Sequence, residues 1–289
     1  MNAAEFHAWL TQPHPRPRRP ARALVMGILN VTPDSFSDGG EFASPESALA
    51  QARRMIAEGA DLLDIGGEST RPGASRISAD QQISRVCPVI EAIRRESDVA
   101  ISIDTTLSAV AGAAVAAGAG VLNDISAGRE DPAMFALAAA RGLPIILMHM
   151  LGEPGTMQNS PVYADVTREV TAFLQERADA TVRAGVSATH VLLDPGIGFG
   201  KTVQHNLQLL RDLPQLAQLG HRILIGTSRK RFIGAVTGTT DPQQRIYGSV
   251  ASAVWSVLRG ASIVRVHDVL PTVQAMRTIR AIQATESAG

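Results

Sequence analysis

The fold class the sequence predicts is a single (β/α)8 barrel with its ligand site at the C-terminal ends of the strands. Three observations predict it. Strand-like apolar runs alternate eight times with stretches of helical periodicity, no two runs are joined by a short hairpin turn, and every run ends on polar or charged residues. The chain of 289 residues is also close to the roughly 250 residues such a barrel needs. An open doubly wound sheet is the alternative, but it gives no reason for all eight strands to end alike.

Strands are expected at 24–29, 61–65, 99–103, 121–122 with Asn123, 144–148, 190–193, 222–225 and 262–266. Helical spacing of apolar residues falls between them, at 45–58, 79–96, 108–117, 132–141, 163–184, 204–219, 243–259 and 271–283. Pro45, Pro132 and Pro271 stand at or near helix starts, where a missing N–H costs nothing. Gly59, Gly118, Gly142, Gly185, Gly220 and Gly260 follow helix ends, where a left-handed cap is expected. Residues 23–285 therefore read as one catalytic domain. Residues 1–22, with Pro13, Pro15, Pro17 and Pro20 interleaved with Arg16, Arg18, Arg19 and Arg22, read as a solvated leader that lacks the apolar core of a signal peptide.

Composition narrows the function classes. Hydrophobic residues make up 45%, enough for a large core, while 27 Lys and Arg balance 27 Asp and Glu. No whole-protein field draws nucleic acid or an anionic membrane. The one cysteine, Cys87, lies beside Val86, Val89 and Ile90 and reads as a core residue, so no disulfide framework can form within the chain. No run reaches the roughly 18 apolar residues of a membrane helix, and a soluble, cytoplasmic protein is expected.

Function in such a barrel lives at the C-terminal strand ends. Those ends are Asn30, Asp64, Asp104, Asn123-Asp124, His149, Asp194, Ser228-Arg229-Lys230 and Arg265-His267-Asp268. Asp194 opens the stretch Asp194-Pro-Gly-Ile-Gly-Phe-Gly-Lys-Thr202, whose alternating glycines let a ligand approach the backbone. It is neither a Walker A loop, which would need Gly where Pro195 stands, nor a dinucleotide fingerprint, which would need Gly at Lys201. Asn123, Asp104, Asp194 and Lys230 suit the donors and acceptors of a flat nitrogen heterocycle. Arg71, Ser228, Arg265 and His267 suit phosphate oxygens. A heterocycle carrying a phosphate would use both sets.

Two connections at the same rim, 30–40 and 66–74, are polar, Gly-rich and longer than most βα loops, as binding loops are. Phe36 in the first could cover a ring. No HExxH motif or Cys cluster marks a metal cage, but a Mg²⁺ ion held mainly by ligand phosphates and water needs only one or two protein oxygens, and Asn30 is a candidate for one.

The motifs themselves resemble the dihydropteroate synthases. They are Met26-Gly-Ile-Leu-Asn-Val-Thr-Pro-Asp-Ser-Phe-Ser-Asp-Gly-Gly40, Asp64-Ile-Gly-Gly-Glu-Ser-Thr-Arg-Pro-Gly73, Ser102-Ile-Asp-Thr105, Asn123-Asp-Ile-Ser126, Met148-His149, the 194–201 stretch, Ser228-Arg-Lys230 and Arg265-Val-His-Asp268, all in family order. The resemblance implies condensation of (7,8-dihydropterin-6-yl)methyl diphosphate with 4-aminobenzoate to give 7,8-dihydropteroate and diphosphate in folate synthesis. It implies that Asp104, Asn123, Asp194 and Lys230 hold the pterin, with Ile125, Met148 and Phe199 lining the ring slot. Arg71, Arg265 and His267 then bind diphosphate, Asn30 binds Mg²⁺, and Thr70, Pro72, Ser228 and the Lys230 stem border the aminobenzoate. Asp104, Asp194, Lys230, Arg265 and His267 are the expected catalytic group. A homodimer and sulfonamide sensitivity are also implied.

Departures from the family pattern are few. Ser126-Ala127-Gly128 stands where two glycines are common, and Leu107 where a polar residue is common; neither carries an assigned role. Two rivals remain. A pterin-binding methyltransferase would bring no diphosphate for Ser228-Arg-Lys230 and Arg265-Val-His267 to hold, and a silent pterin-binding paralogue would be expected to have lost some of Asn30, Arg71, Lys230 or His267, all of which are present.

Overall fold

A computed structural model describes residues 1–12, 22–32, 45–69, 74–153 and 155–285. Eight parallel strands close into a barrel in sequence order, with the first paired to the last. They are β1 (Leu24–Asn30), β2 (Leu62–Gly66), β3 (Ala100–Asp104), β4 (Val121–Asp124), β5 (Ile145–Met148), β6 (Val191–Asp194), β7 (Arg222–Ile225) and β8 (Ala261–Val266). Each differs from its expected span by a residue or two at most, because an apolar run buried on both faces leaves little choice of boundary.

The outer ring follows the expected order: α2 (Pro45–Ala57), α3 (Ala79–Arg94), α4 (Ser108–Ala117), α5 (Ala133–Arg141), α6 (Val166–Arg183), α7 (Val203–Arg211), α8 (Leu213–Ala217), α9 (Arg231–Thr237), α10 (Ile246–Leu258) and α11 (Val269–Thr285). Two details differ from the sequence reading. The stretch expected as one helix at 204–219 breaks at Asp212, where Pro214 opens α8. The stretch between β7 and 243 holds the short helix α9, which begins directly after Lys230 and stops at left-handed Gly238. Cys87 lies half-buried on α3 against the core between helices and barrel wall.

The leader expectation needs correction. Residues 1–12 are not a solvated tail: α1 (Ala3–Thr11) buries Phe6, Trp9 and Leu10. These three join the inward-facing Leu24, Met26, Leu62, Ala100, Val121, Ile146, Leu192, Leu224 and Ile263, so α1 plugs the N-terminal end of the barrel. The guanidinium of Arg222 lies 3.9 Å from the Trp9 ring centroid and donates to the carbonyls of Trp9 and Gln12. Burial pulls its pKa down to about 10. The i, i+3, i+4 spacing of the three apolar residues, and an Asn2/Glu5 capping box, were legible signals that the Pro/Arg run obscured. The part of the leader at 13–21 lies outside the described residues.

The plug ties α1 to the packing of the barrel interior. Trp9→Ala is expected to lower unfolding free energy by about 3–5 kcal/mol, the cost of emptying a packed aromatic site, and denaturant titration checks it. An unchanged midpoint would show that α1 contributes nothing to the barrel. No helix among the described residues is long and apolar enough to cross a membrane.

Candidate active site at the mouth of the barrel

Register brings the chemistry together. Asp104 pairs with Asn123 across β3 and β4, and Met148 with Asp194 across β5 and β6, so these side chains share one level of the mouth. Asp64, on β2, lies beside Ser102 on β3. Arg265, from β8, spans the opening: its Nε donates to Asp64 Oδ2 at 2.6 Å and its Nη2 to Asp104 Oδ2 at 2.7 Å. The same Asp64 oxygen accepts from Asn123 Nδ2 at 3.0 Å.

Burial dominates the electrostatics. Removal from water pushes Asp104 up to about 7, against the pull of Arg265 and with further upward push from Asp64 and Asp124. Asp194 is also raised by burial, opposed by Lys230 and by the Gly196 N–H that its Oδ1 accepts at 2.7 Å. Lys230 is lowered to about 8 by burial, which Asp194 opposes. For Arg265 burial works downward, but Asp64 and Asp104 outweigh it and the net shift is upward. Asp104 and Asp194 are both raised by burial, so a ligand that gains positive charge beside them favours their ionised form and is favoured by it.

The turn after β6 is shaped by its glycines. Gly196 has φ +68°, and a Cβ there would stand 1.9 Å from the His149 carbonyl oxygen; Gly200 has φ +61°, and its Cβ would stand 2.5 Å from the Leu151 carbonyl oxygen. Only glycine fits either place. The turn carries Phe199 to a cluster with Ile125, Met148, Met150 and Met157, which brings together the three residues expected to line a ring slot and adds two methionines. Lys230 Nζ sits 4.8 Å from the Phe199 ring centroid and donates to the Ile197 carbonyl. Lys201, buried beneath, donates to the Phe199 carbonyl at 2.9 Å and lies 2.9 Å from His149 Nδ1. Burial holds Lys201 down at about 7 and His149 at about 3.

Ser228 and His267 form the anion-facing side. The Ser228 hydroxyl oxygen accepts the His267 backbone N–H at 3.1 Å and lies 3.0 Å from His267 Nδ1. The Ser228 hydroxyl thus holds the imidazole ring of His267 in one orientation at the mouth. Between Ser228 and Lys230, Arg229 holds a left-handed φ of +59° and forks onto Asp268 at 3.0 and 2.6 Å. That pair ties the β7 turn to the β8 turn. Asn30 ends β1 half-buried.

Among the described residues no three His, Cys, Asp or Glu gather as a metal cage. A single amide oxygen such as that of Asn30 is the kind of donor a hard cation takes when water and ligand phosphate oxygens fill most of its shell. Thr70, Arg71 and Pro72, together with Phe36, lie outside the described residues. Sequence reasoning missed two side chains that the geometry makes central, Asp64 as a bridge and Lys201 as a buried brace.

Comparison with known proteins follows the same outline. A family model for pterin binding enzymes matches residues 26–267. The chain is 48% identical over 261 residues to the dihydropteroate synthase of Synechocystis sp., covering 90% of each protein. Its fold matches the Xanthomonas albilineans dihydropteroate synthase with 4-aminobenzoic acid at a TM-score of 0.87 and 48% identity, over 92% of this chain and 95% of that one. It matches the enzyme of the same organism in complex with 7,8-dihydropteroate at a TM-score of 0.83 and 45% identity, over 91% and 94%. With motifs, barrel and mouth in agreement, the chain belongs to the pterin-binding enzymes and, among them, to the dihydropteroate synthase family.

Proposed function

We propose that this chain condenses (7,8-dihydropterin-6-yl)methyl diphosphate with 4-aminobenzoate, releasing diphosphate and forming 7,8-dihydropteroate, as a cytoplasmic enzyme of folate synthesis. The observation that carries the reading is Arg265 forked across Asp64 and Asp104, beside a slot lined by Met148, Ile125 and Phe199. One cation there serves both an anionic leaving group and the acids that hold a ring.

Asp104, Asn123, Asp194 and Lys230 hold and orient the pterin, which the slot sandwiches. Arg265, His267 and Arg71 take up the charge the diphosphate gains as its bond to the methylene carbon breaks, a stabilisation worth several kcal/mol. Asn30 would hold a Mg²⁺ ion, which supplies further charge neutralisation at the diphosphate. The electron pair leaves with the diphosphate oxygen, and positive charge develops on the pterin-methyl group near Asp104 and Asp194. The amine nitrogen of 4-aminobenzoate forms the new C–N bond and gives its proton to water or the departing diphosphate; the family resemblance assigns Thr70, Pro72, Ser228 and the Lys230 stem to this substrate. No side chain needs to form a covalent bond, so positioning and charge balance do the chemistry.

The test is diphosphate release from the dihydropterin diphosphate with Mg²⁺, with and without 4-aminobenzoate. Release that requires the amine, with dihydropteroate identified by mass, supports the reading; a sulfonamide should then compete with the amine. Tight pterin binding without amine-dependent release would point to a silent pterin-binding protein. A pterin diphosphate bound no more tightly than the plain pterin would favour a methyltransferase.

The homodimer implied by family resemblance has support of its own. Tyr247, Trp255 and Leu258 lie exposed along one stripe of α10, and Leu207 lies exposed on α7, to which Trp255 Nε1 is tied through the Leu210 carbonyl at 2.9 Å. A second copy covering this stripe would bury it. Light scattering should give twice the chain mass for the native protein and the single mass for Trp255→Glu; a native monomer rules the dimer out.

A further inference from the structure

Asp64 is an acid of the mouth with no role in the reaction as set out above, yet its placement is demanding. It is fully buried, and its Oδ2 accepts two hydrogen bonds from residues assigned to opposite tasks: Asn123 Nδ2 on the pterin side and Arg265 Nε on the diphosphate side. Its other oxygen, Oδ1, has no hydrogen-bond partner, nor has Ser102 Oγ on the neighbouring strand, so the carboxylate is held through a single oxygen. A buried acceptor in that position dictates what its donors can do elsewhere.

We propose that Asp64 is a positioning residue that sets the hydrogen-bonding face of the pterin pocket. An amide can present either its N–H₂ or its oxygen, and the two ends are almost the same shape. With one Nδ2 hydrogen on Asp64, the Asn123 amide is held with Oδ1 turned away from that acid, and the acceptor it then offers the ligand selects a ring edge that bears an N–H donor. The same oxygen takes Nε of Arg265. That fixes the guanidinium plane, with Nη2 on Asp104, and leaves the remaining N–H groups of the fork for an anion. Asp64 thus couples recognition of the ring to recognition of its leaving group without touching either.

This inference rests on the pterin reading above. It is tested by a double-mutant cycle on Asp64→Asn and Asn123→Ala, read by calorimetric binding of the plain pterin without its diphosphate. Asp64→Asn is isosteric but gives residue 64 an N–H₂ group of its own, so the Asn123 amide is free to turn over.

Each single variant is expected to weaken pterin binding on the order of 10²-fold, as for loss of one partner of a buried charged hydrogen bond. Because both act through one contact, the double variant should be no worse than about threefold below the weaker single variant. Multiplying effects would mean that Asp64 supports the fold only, and would overturn the proposal, as would wild-type affinity in Asp64→Asn. Should Asp64→Asn fold poorly, the exchanged pair Asp64→Asn with Asn123→Asp keeps the test alive. It reverses the contact, with the donor now at 64, and keeps an acceptor face at 123, and is expected to bind at least tenfold better than Asn123→Asp alone; no gain overturns the proposal. Failure of the wild-type protein to bind the pterin would bring down the functional reading and this one together. Tight wild-type binding with multiplying effects would bring down this one alone.

Discussion

Arg265→Ala should cost more activity than any other single change at the mouth, with kcat/KM falling by about 10³-fold or more. The side chain makes both ion pairs that hold Asp64 and Asp104, at 2.6 and 2.7 Å. Removing one partner of a buried ion pair costs about 3–5 kcal/mol because a buried charge is left uncompensated, and here two are left facing one another. The substrate diphosphate loses its forked donor in the same step. Arg265→Lys keeps the charge but cannot fork across two strands, and only partial recovery is expected.

The same variant has a pH signature in stability. Asp104 already holds its proton up to about pH 7 through burial, against the pull of Arg265. Without Arg265 its pKa moves higher still, while the unfolded chain releases that proton near pH 4. The native state then binds more protons than the unfolded state through the neutral range, so stability falls as pH rises. The Tm deficit of Arg265→Ala should therefore be larger at pH 8 than at pH 6. A deficit independent of pH, or kcat/KM within tenfold of wild type, would remove Arg265 from the centre of the site.

What could be read from the sequence, and what could not, divides along the distance between partners. The strands and most helices are local patterns: apolar runs of four to seven residues, closed by glycines such as Gly118 and Gly142 that take the positive φ a helix end requires. The strand-end rule then named Asp104, Asn123, Asp194, Lys230, Arg265 and His267 without a single contact being known. Asp64 stood in the same row, but its role depends on Asn123, 59 residues on, and Arg265, 201 residues on. Lys201 looked like the tail of a glycine turn because its partner His149 lies 52 residues earlier. Helix α1 was missed for a different reason: its short apolar stripe and capping box stand next to the Pro/Arg run, which dominates that stretch of sequence, and the stripe is completed only by side chains from all eight strands.

Asp104→Asn should separate catalysis from stability by moving them in opposite directions. Turnover is expected to fall roughly 10²–10³-fold, the range seen when one preorganised electrostatic group is removed from a transition state, while pterin binding changes far less, since the amide keeps the shape and one acceptor. In the ligand-free wild type the carboxyl ionises only near pH 7, so kcat/KM should rise with pH through that value as the charge that stabilises the pterin-methyl cation appears. The variant should lack this limb. In stability the sign is reversed. A carboxyl whose native pKa is about 7 against about 4 when unfolded favours folding only while it keeps its proton, and that contribution is lost as pH rises through 7. At pH 8 the wild type carries a buried carboxylate that Arg265 does not fully offset, and the neutral amide does not, so Tm of Asp104→Asn at pH 8 should exceed that of the wild type. A variant that kept turnover and its pH limb would show that the cation is stabilised elsewhere, with Asp194 the next acid to test. A variant slower but also less stable at pH 8 would mean that Arg265 compensates Asp104 fully and that the charge costs the fold nothing. The expected combination would mean that the barrel keeps an ionised, destabilising acid at its mouth because the developing cation needs it there.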